Sequence, residues 1–270
     1  MDDDFAKLPE ECISEILSLT SPVDVSAFSI ISKRFKSASD SDNAWSKFVP
    51  SDIDNIISKS STPFPFESPP TKKQLFFGLS GFSFVLEEGK KVFYLDKHTG
   101  KKCVMISPAE LEFSGANVSN QLLTTYDPHA RFKEVAKLTL YKGVFDITLK
   151  MTSQLLLSKE THYSCYLMYK MEDARSYWDD DSSDYSITSG SDPFENVTMI
   201  GNSERTTEDG WEEIEIKSFL NSGAVDEGVE LRSSVGIDSD DVDVIVQGIE
   251  IRPRDAVRCD HDYARFTIYI

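Results

Sequence analysis

Leu8-Pro9-Glu10-Glu11-Cys12-Ile13-Ser14-Glu15-Ile16-Leu17-Ser18-Leu19-Thr20-Ser21-Pro22-Val23-Asp24 decides how the first fifty residues are read. Pro9 suits a first helical turn, where its missing N–H has no partner to lose, and Glu10 and Glu11 lie at the positive end of the helix dipole. Leu8, Cys12, Ile13, Ile16, Leu17 and Leu19 recur every three to four residues and gather onto one apolar face. Ser21 then caps a second helix, with Pro22 in the first position and Asp24 closing an approximate capping box. Its apolar side carries Val25, Phe28, Ile31, Phe35 and Ala38. A third start at Ser41-Asp42-Asn43 leads into Trp45, Phe48 and Val49. Residues 1–50 thus read as three short amphipathic helices. Such a unit is too small to be very stable alone, so much of its apolar surface is expected to meet another protein.

Serines and prolines from Ser58 to Pro70 mark a linker, placed at 51–71. After a short helix expected from Lys72 to Leu79, the pattern changes to period two. Val92 to Leu95, Cys103 to Ile106, Val144 to Met151, Tyr163 to Tyr169, Trp211 to Ile216 and Val242 to Ile251 favour strands through β-branched and aromatic content. No long helical segment separates them. The expected class is multidomain, α followed by all-β, with three helices ahead of an antiparallel, jelly-roll-like β-sandwich over 72–254. Residues 255–270 form an extension of unassigned role, whose alternation from Tyr263 to Ile270 favours a strand.

At 270 residues the chain has room for a small module and a domain of about 200. The formal charge of −18 argues against nucleic-acid or anionic-membrane partners, both of which attract lysine and arginine. Between Glu172 and Glu213 stand thirteen acidic residues against Arg175 and Arg205, read as a solvated acidic loop. Met1 is followed by three aspartates rather than a basic leader, and no apolar run spans a bilayer; cytoplasm or nucleus is the expected location. Cys12, Cys103, Cys165 and Cys259 are widely spread and read as reduced thiols. The sequons at Asn117 and Asn196 are then silent. No cofactor or metal is expected. Trp178 to Tyr185 lacks the glycine turn and late glutamate of a calcium loop, and Cys259-Asp260-His261 finds no second ligand pair at zinc spacing. There is no Ser-centred elbow, His-Glu-x-x-His or phosphate loop, and His98, His129, His162 and His261 stand singly, so no intrinsic catalysis is expected.

Leu8-Pro9-Glu10, Ile13, Ile16-Leu17, Ser21-Pro22-Val23-Asp24, Ser32-Lys33-Arg34-Phe35 and Ser41-Asp42-Asn43-Ala44-Trp45 together resemble an F-box. That resemblance implies docking onto the Skp adaptor, and through it cullin, in a ubiquitin ligase. Leu8, Pro9, Ile13, Ile16, Leu17, Phe35 and Trp45 are the candidate docking set. Ile16 and Phe35 are the members most readily assigned instead to the module's own core.

Five further pieces resemble the plant phloem-lectin domain: Phe93 to Cys103, Arg131 to Ala136, Thr161-His162-Tyr163, Asp209-Gly210-Trp211-Glu212-Glu213-Ile214-Glu215, and Val246 to Pro253. The joint architecture is similar to the F-box proteins of the phloem protein 2-like B group. It implies a ligase receptor that selects target proteins, glycosylated ones included, because members of this lectin family bind N-acetylglucosamine-containing glycans. Two tryptophans seven residues apart usually follow the Cys-containing strand in these lectins, and here Gly115 and Leu122 occupy their places. Tyr94 stands where tryptophan is frequent. The candidate carbohydrate-binding residues are Tyr94, Phe113, Tyr126 and Trp178; with two stacking platforms missing, the alternatives for the domain are a protein surface, or a different sugar through Phe113, Tyr126 or Trp178. The alternative to a ligase receptor is a cytosolic carbohydrate- or protein-binding module whose F-box is not functional.

Overall fold

The computed structural model describes residues 8–63, 69–115, 123–125, 127–140, 143–151, 156–173, 198–200, 205–206, 209–223, 229–237 and 242–254. Six α-helices come first: α1 (Glu10–Leu17), α2 (Pro22–Phe28), α3 (Lys33–Asp40), α4 (Asp42–Trp45), α5 (Ile53–Ser58) and α6 (Lys72–Gly81). The start of α2 is the expected one. Ser21 Oγ accepts from the Asp24 amide at 3.1 Å and the Asp24 carboxylate accepts from the Ser21 amide at 3.3 Å. Its end is not. The helix read as continuous to Ala38 stops at Phe28, because Ser32 is extended and its hydroxyl accepts from the Phe35 amide at 3.2 Å, capping a new helix. Ser29 to Ser32 is therefore a turn. The stretch read as a linker also differs, since it contains α5, and Ser61 donates its amide to the Val85 carbonyl at 3.0 Å. A second capping box, between Thr71 and Gln74, starts α6 close to the expected position.

Thirteen strands follow among the described residues: β1 (Phe84–Leu86), β2 (Lys91–Leu95), β3 (Lys102–Ile106), β4 (Leu111–Ser114), β5 (Leu123–Thr125), β6 (Val135–Leu140), β7 (Gly143–Met151), β8 (Thr161–Asp173), β9 (Thr198–Met199), β10 (Arg205–Thr206), β11 (Glu212–Asn221), β12 (Val229–Ile237) and β13 (Val242–Pro253). The larger sheet runs β1-β2-β3-β13-β8-β11-β10, with β5 and β6 beside the first half of β13; the smaller runs β4-β7-β12-β9. All pairs are antiparallel except β9 with β12. The inner faces meet in one core, in which Val104, Leu138, Leu167, Val244 and Ile251 of the large sheet face Phe145, Ile147, Leu149 and Val235 of the small one.

One glycine sets the phase of the central strand. β13 pairs β6 over Val242–Val246 and β3 over Ile249–Ile251, and between these halves its register with β8 shifts. Gly248 occupies this bulge at φ +143°, and a Cβ there would lie 2.1 Å from the Ile106 carbonyl oxygen. Only glycine fits. The extra residue also inverts the alternation. Val244 and Val246 point into the core before it and Ile249 and Ile251 after it; without it Glu250 and Arg252 would turn inward.

The helices and the sandwich share a second core. Ile13, Leu17, Val25, Ala38 and Trp45 belong to one buried cluster with Ile53, Leu75, Phe76, Leu79, Phe84, Phe93 and Leu95. Trp45 is fully buried, its ring 5.1 Å from that of Phe76 and 5.2 Å from Phe77, and its indole N–H donates to the Ser39 carbonyl at 2.6 Å. Polar links lie alongside. The Asp42 carboxylate accepts from the Lys72 amide at 2.7 Å, and Lys102 Nζ reaches the Asp52 carboxylate at 2.6 Å. Gly100, at φ +70° in the β2–β3 turn, lets Phe48 approach so closely that a Cβ would meet the Phe48 carbonyl oxygen at 2.9 Å.

Candidate functional site

Two surfaces carry the sequence-derived candidates. The first belongs to the helical end, where α1 divides its apolar residues by face. Ile13 and Leu17 are buried in the shared core, whereas Pro9, Cys12, Ile16 and Leu19 are exposed. Leu8 and Phe35 are partly buried against the same cluster, Phe35 stacking on Phe28 at 6.0 Å. Of the seven proposed docking residues, then, Pro9 and Ile16 stand free for a partner, Leu8 and Phe35 stand half-free, and Ile13, Leu17 and Trp45 hold the module together. Ile16, read as a core residue in the alternative assignment, is 46 % exposed. Sequence reading missed Ile30 and Ile31, exposed by 87 % and 59 % in the turn between α2 and α3. The signal for them was the Ser32 cap, which ends the helix face on which Ile31 had been placed.

Apolar exposure is concentrated here. Among the described residues, the large hydrophobics left exposed are Ile16, Leu19, Val23, Ile30, Ile31, Phe77 and Leu220. All but Leu220 lie on α1, α2, α6 or their turns.

The second surface is the outer face of the large sheet, where four of the quoted lectin-like pieces converge. Arg252 reaches both oxygens of Glu213 at 3.0 Å and Glu250 at 2.9 Å. Glu250 also accepts from the Tyr94 hydroxyl at 2.6 Å and from Arg131 at 3.1 Å. The Arg252 guanidinium lies 3.6 Å from the centre of the Tyr166 ring. Glu213, Glu250 and Arg252 are all buried. Burial opposes the charge on Arg252, yet the Glu213 and Glu250 carboxylates outweigh it and hold the group protonated well above its ordinary range. On the same face Phe132 packs with Val92, Met105, Tyr166 and Met168. Lys170 lies 4.4 Å over the Trp211 ring and 3.0 Å from Asp127. Cys103, opposite Tyr94, has its thiol pushed up by burial and by the Asp96 and Glu250 carboxylates, which leaves it inert.

The proposed sugar-binding aromatics do not assemble into one platform among the described residues. Tyr94 is partly buried on the outer face with its hydroxyl on Glu250; Phe113 lies on β4 in the other sheet and packs against the sandwich core. Tyr126, Trp178 and Leu122 lie outside the described residues, as do Trp178 to Tyr185, Cys259-Asp260-His261 and the extension 255–270. Gly115 is more than a lost ring. Its φ is +147° and a Cβ would lie 3.0 Å from the Phe145 Cα, so any side chain there, tryptophan included, is strained. Among the described residues no group of three or more His, Cys, Asp or Glu side chains could hold a metal ion, and no helix is long and apolar enough to cross a membrane.

The F-box domain profile matches residues 5–47 and the Phloem protein 2 profile matches residues 101–253. The chain belongs to the F-box proteins that carry a phloem protein 2 domain. Three Arabidopsis thaliana relatives illustrate the similarity. Putative F-box protein PP2-B12 is 34 % identical, covering 93 % of this chain and 98 % of its own. Putative F-box protein PP2-B8 is 34 % identical over 91 % and 86 %, and F-box protein SKIP3 33 % identical over 91 % and 87 %. Among solved structures, the CBM22-1-CBM22-2 tandem domain of Paenibacillus barcinonensis Xyn10C overlaps at a TM-score of 0.21 and 9 % identity, covering 59 % of this chain and 47 % of that one. A similarity that low has no bearing on the fold. The F-box family profile stops at residue 47, yet its core runs through α5 and α6 into β2 of the phloem protein 2 half.

Proposed function

We propose that this chain is the substrate-receptor subunit of a Skp-cullin-F-box ubiquitin ligase, with its phloem protein 2 domain selecting the target. The observation that carries the reading is the clustering of exposed large apolar side chains at the F-box end. A single-chain protein rarely leaves so many on one region unless a partner covers them. The adaptor-facing set is Pro9, Cys12, Ile16, Leu19, Ile30 and Ile31, with Leu8 and Phe35 at its margin. The chain supplies proximity rather than chemistry, holding a target near the ubiquitin donor.

Co-purification of the full chain with a Skp adaptor tests this, comparing wild type with Ile16→Asp and Ile31→Asp. Both positions are exposed, so these variants should fold normally and lose the adaptor. Retention by both variants would sink the reading. For the target, the phloem protein 2 domain binds a protein surface rather than a glycan alone, because Tyr94 is committed to Glu250 and the Gly115 backbone strains any side chain that would carry a ring. A glycan array probed with the full chain would overturn that half by showing N-acetylglucosamine-dependent binding.

A further inference from the structure

A groove separates α2 from α6, lined by Pro22, Val23, Ser26, Phe76, Phe77 and Ser80, with Lys97 and His98 of the β2–β3 turn at its rim. Its volume is about 240 Å³ and its wall is almost wholly apolar. Ligand pockets for drug-sized molecules start at roughly 300 Å³, so this space suits a large apolar side chain better than a free metabolite. The floor is fixed, because Phe76 is buried against Trp45. The lips are free, since Val23 is 46 % and Phe77 44 % exposed.

We infer that the same adaptor that covers the F-box extends across this groove and inserts an apolar side chain between Val23 and Phe77. The inference rests on the adaptor reading above. Continuity argues for it: Val23 follows the exposed Leu19 by four residues, a reach of at most about 15 Å, so a partner lying on α1 arrives at the groove mouth. Among the described residues the remaining exposed large apolar side chain, Leu220, lies on β11 and belongs to neither surface. The footprint then spans both halves of the chain, and the F-box alone is an incomplete adaptor site.

The test is adaptor affinity of the full chain by calorimetry. Ser26→Trp fills the groove from an exposed position without removing a core contact, and Val23→Asp charges its lip. Each should weaken binding about tenfold, the effect of losing one good apolar anchor, with unchanged thermal midpoint, while Leu220→Asp binds as wild type. Wild-type affinity in both groove variants, with Ile31→Asp still defective, would remove the groove from the footprint and leave the adaptor reading standing. Wild-type affinity in Ile31→Asp would refute both. Two results would reassign the groove and overturn the inference: groove variants that change only the self-association of the chain, or only its hold on a ubiquitination target.

Discussion

Replacing Trp45 with alanine tests whether the F-box and the phloem protein 2 half are one folding unit. Trp45 has no exposed surface and packs against Phe48, Phe76 and Phe77 at 6.1, 5.1 and 5.2 Å. Truncating a buried aromatic costs about 3–5 kcal/mol, and the Ser39 carbonyl it leaves buried without a donor adds about 1 kcal/mol. With about 4 kcal/mol as a working figure, opening of whatever unit contains Trp45 becomes easier by roughly a thousandfold. The shared cluster puts Leu75, Phe76, Phe93 and Leu95 in that unit. Native-state hydrogen exchange of the full chain should therefore accelerate by a similar factor in peptides from α1 to α6 and in β2 and β3. If the α1–α4 peptides accelerate while β2 and β3 keep wild-type protection, the two halves open independently and the coupling argument is wrong.

Three other outcomes follow from the large sheet. Gly248→Ala places a methyl against the Ile106 carbonyl and forces a φ that alanine avoids; it should lower unfolding free energy by about 3 kcal/mol, read as a fall in the urea midpoint. Arg252→Met leaves the Glu213 carboxylate buried without its guanidinium, at a cost of about 3–5 kcal/mol. Adding Glu213→Leu should recover much of that loss, and a double-mutant cycle with strictly additive costs would contradict the network. For Asp127, burial opposes ionisation, but Lys170 at 3.0 Å and the His129 amide at 2.7 Å outweigh it, and its carboxyl titrates below the ordinary range. A folded value below the unfolded one contributes stability above pH about 4 that is lost as pH falls through the folded value. Asp127→Asn should therefore flatten the decline in thermal midpoint below pH 4, and an unchanged slope would assign that decline elsewhere.

Elements whose signals are local were legible in the sequence. The Ser21 and Thr71 starts and the period-two runs of β2, β3, β7, β8, β11 and β13 all lie where caps and β-branched residues placed them. The α2–α3 break did not show in the pattern because Ile31 and Phe35 keep a helical spacing across Ser32, whose capping hydrogen bond appears only in the structure. Trp45, Ile13 and Leu17 read as contact residues because sequence cannot say which of two apolar ridges faces inward; for Ile13 and Leu17 that depends on α3 and α4, and for Trp45 on α6, which begins only at Lys72. The Glu213–Arg252–Glu250–Tyr94 network was visible only as separate pieces, since strands far apart in sequence bring them together. Gly115 read as the absence of a ring, and only its positive φ and the nearby Phe145 backbone show that any side chain there is strained.

The shared core of Trp45, Phe76 and Phe93 also bears on reach. A receptor whose two ends were joined by a loose tether would sweep its cargo through a volume and offer many lysines to the ubiquitin donor. In the proposed receptor role the two ends of this chain would be braced against each other through that core, so the orientation in which a target is held would be set by the fold. The choice of modified lysine would then fall to whichever side chain that fixed pose brings forward, and any remaining search would belong to the target's own motion or to the parts of the ligase beyond the adaptor.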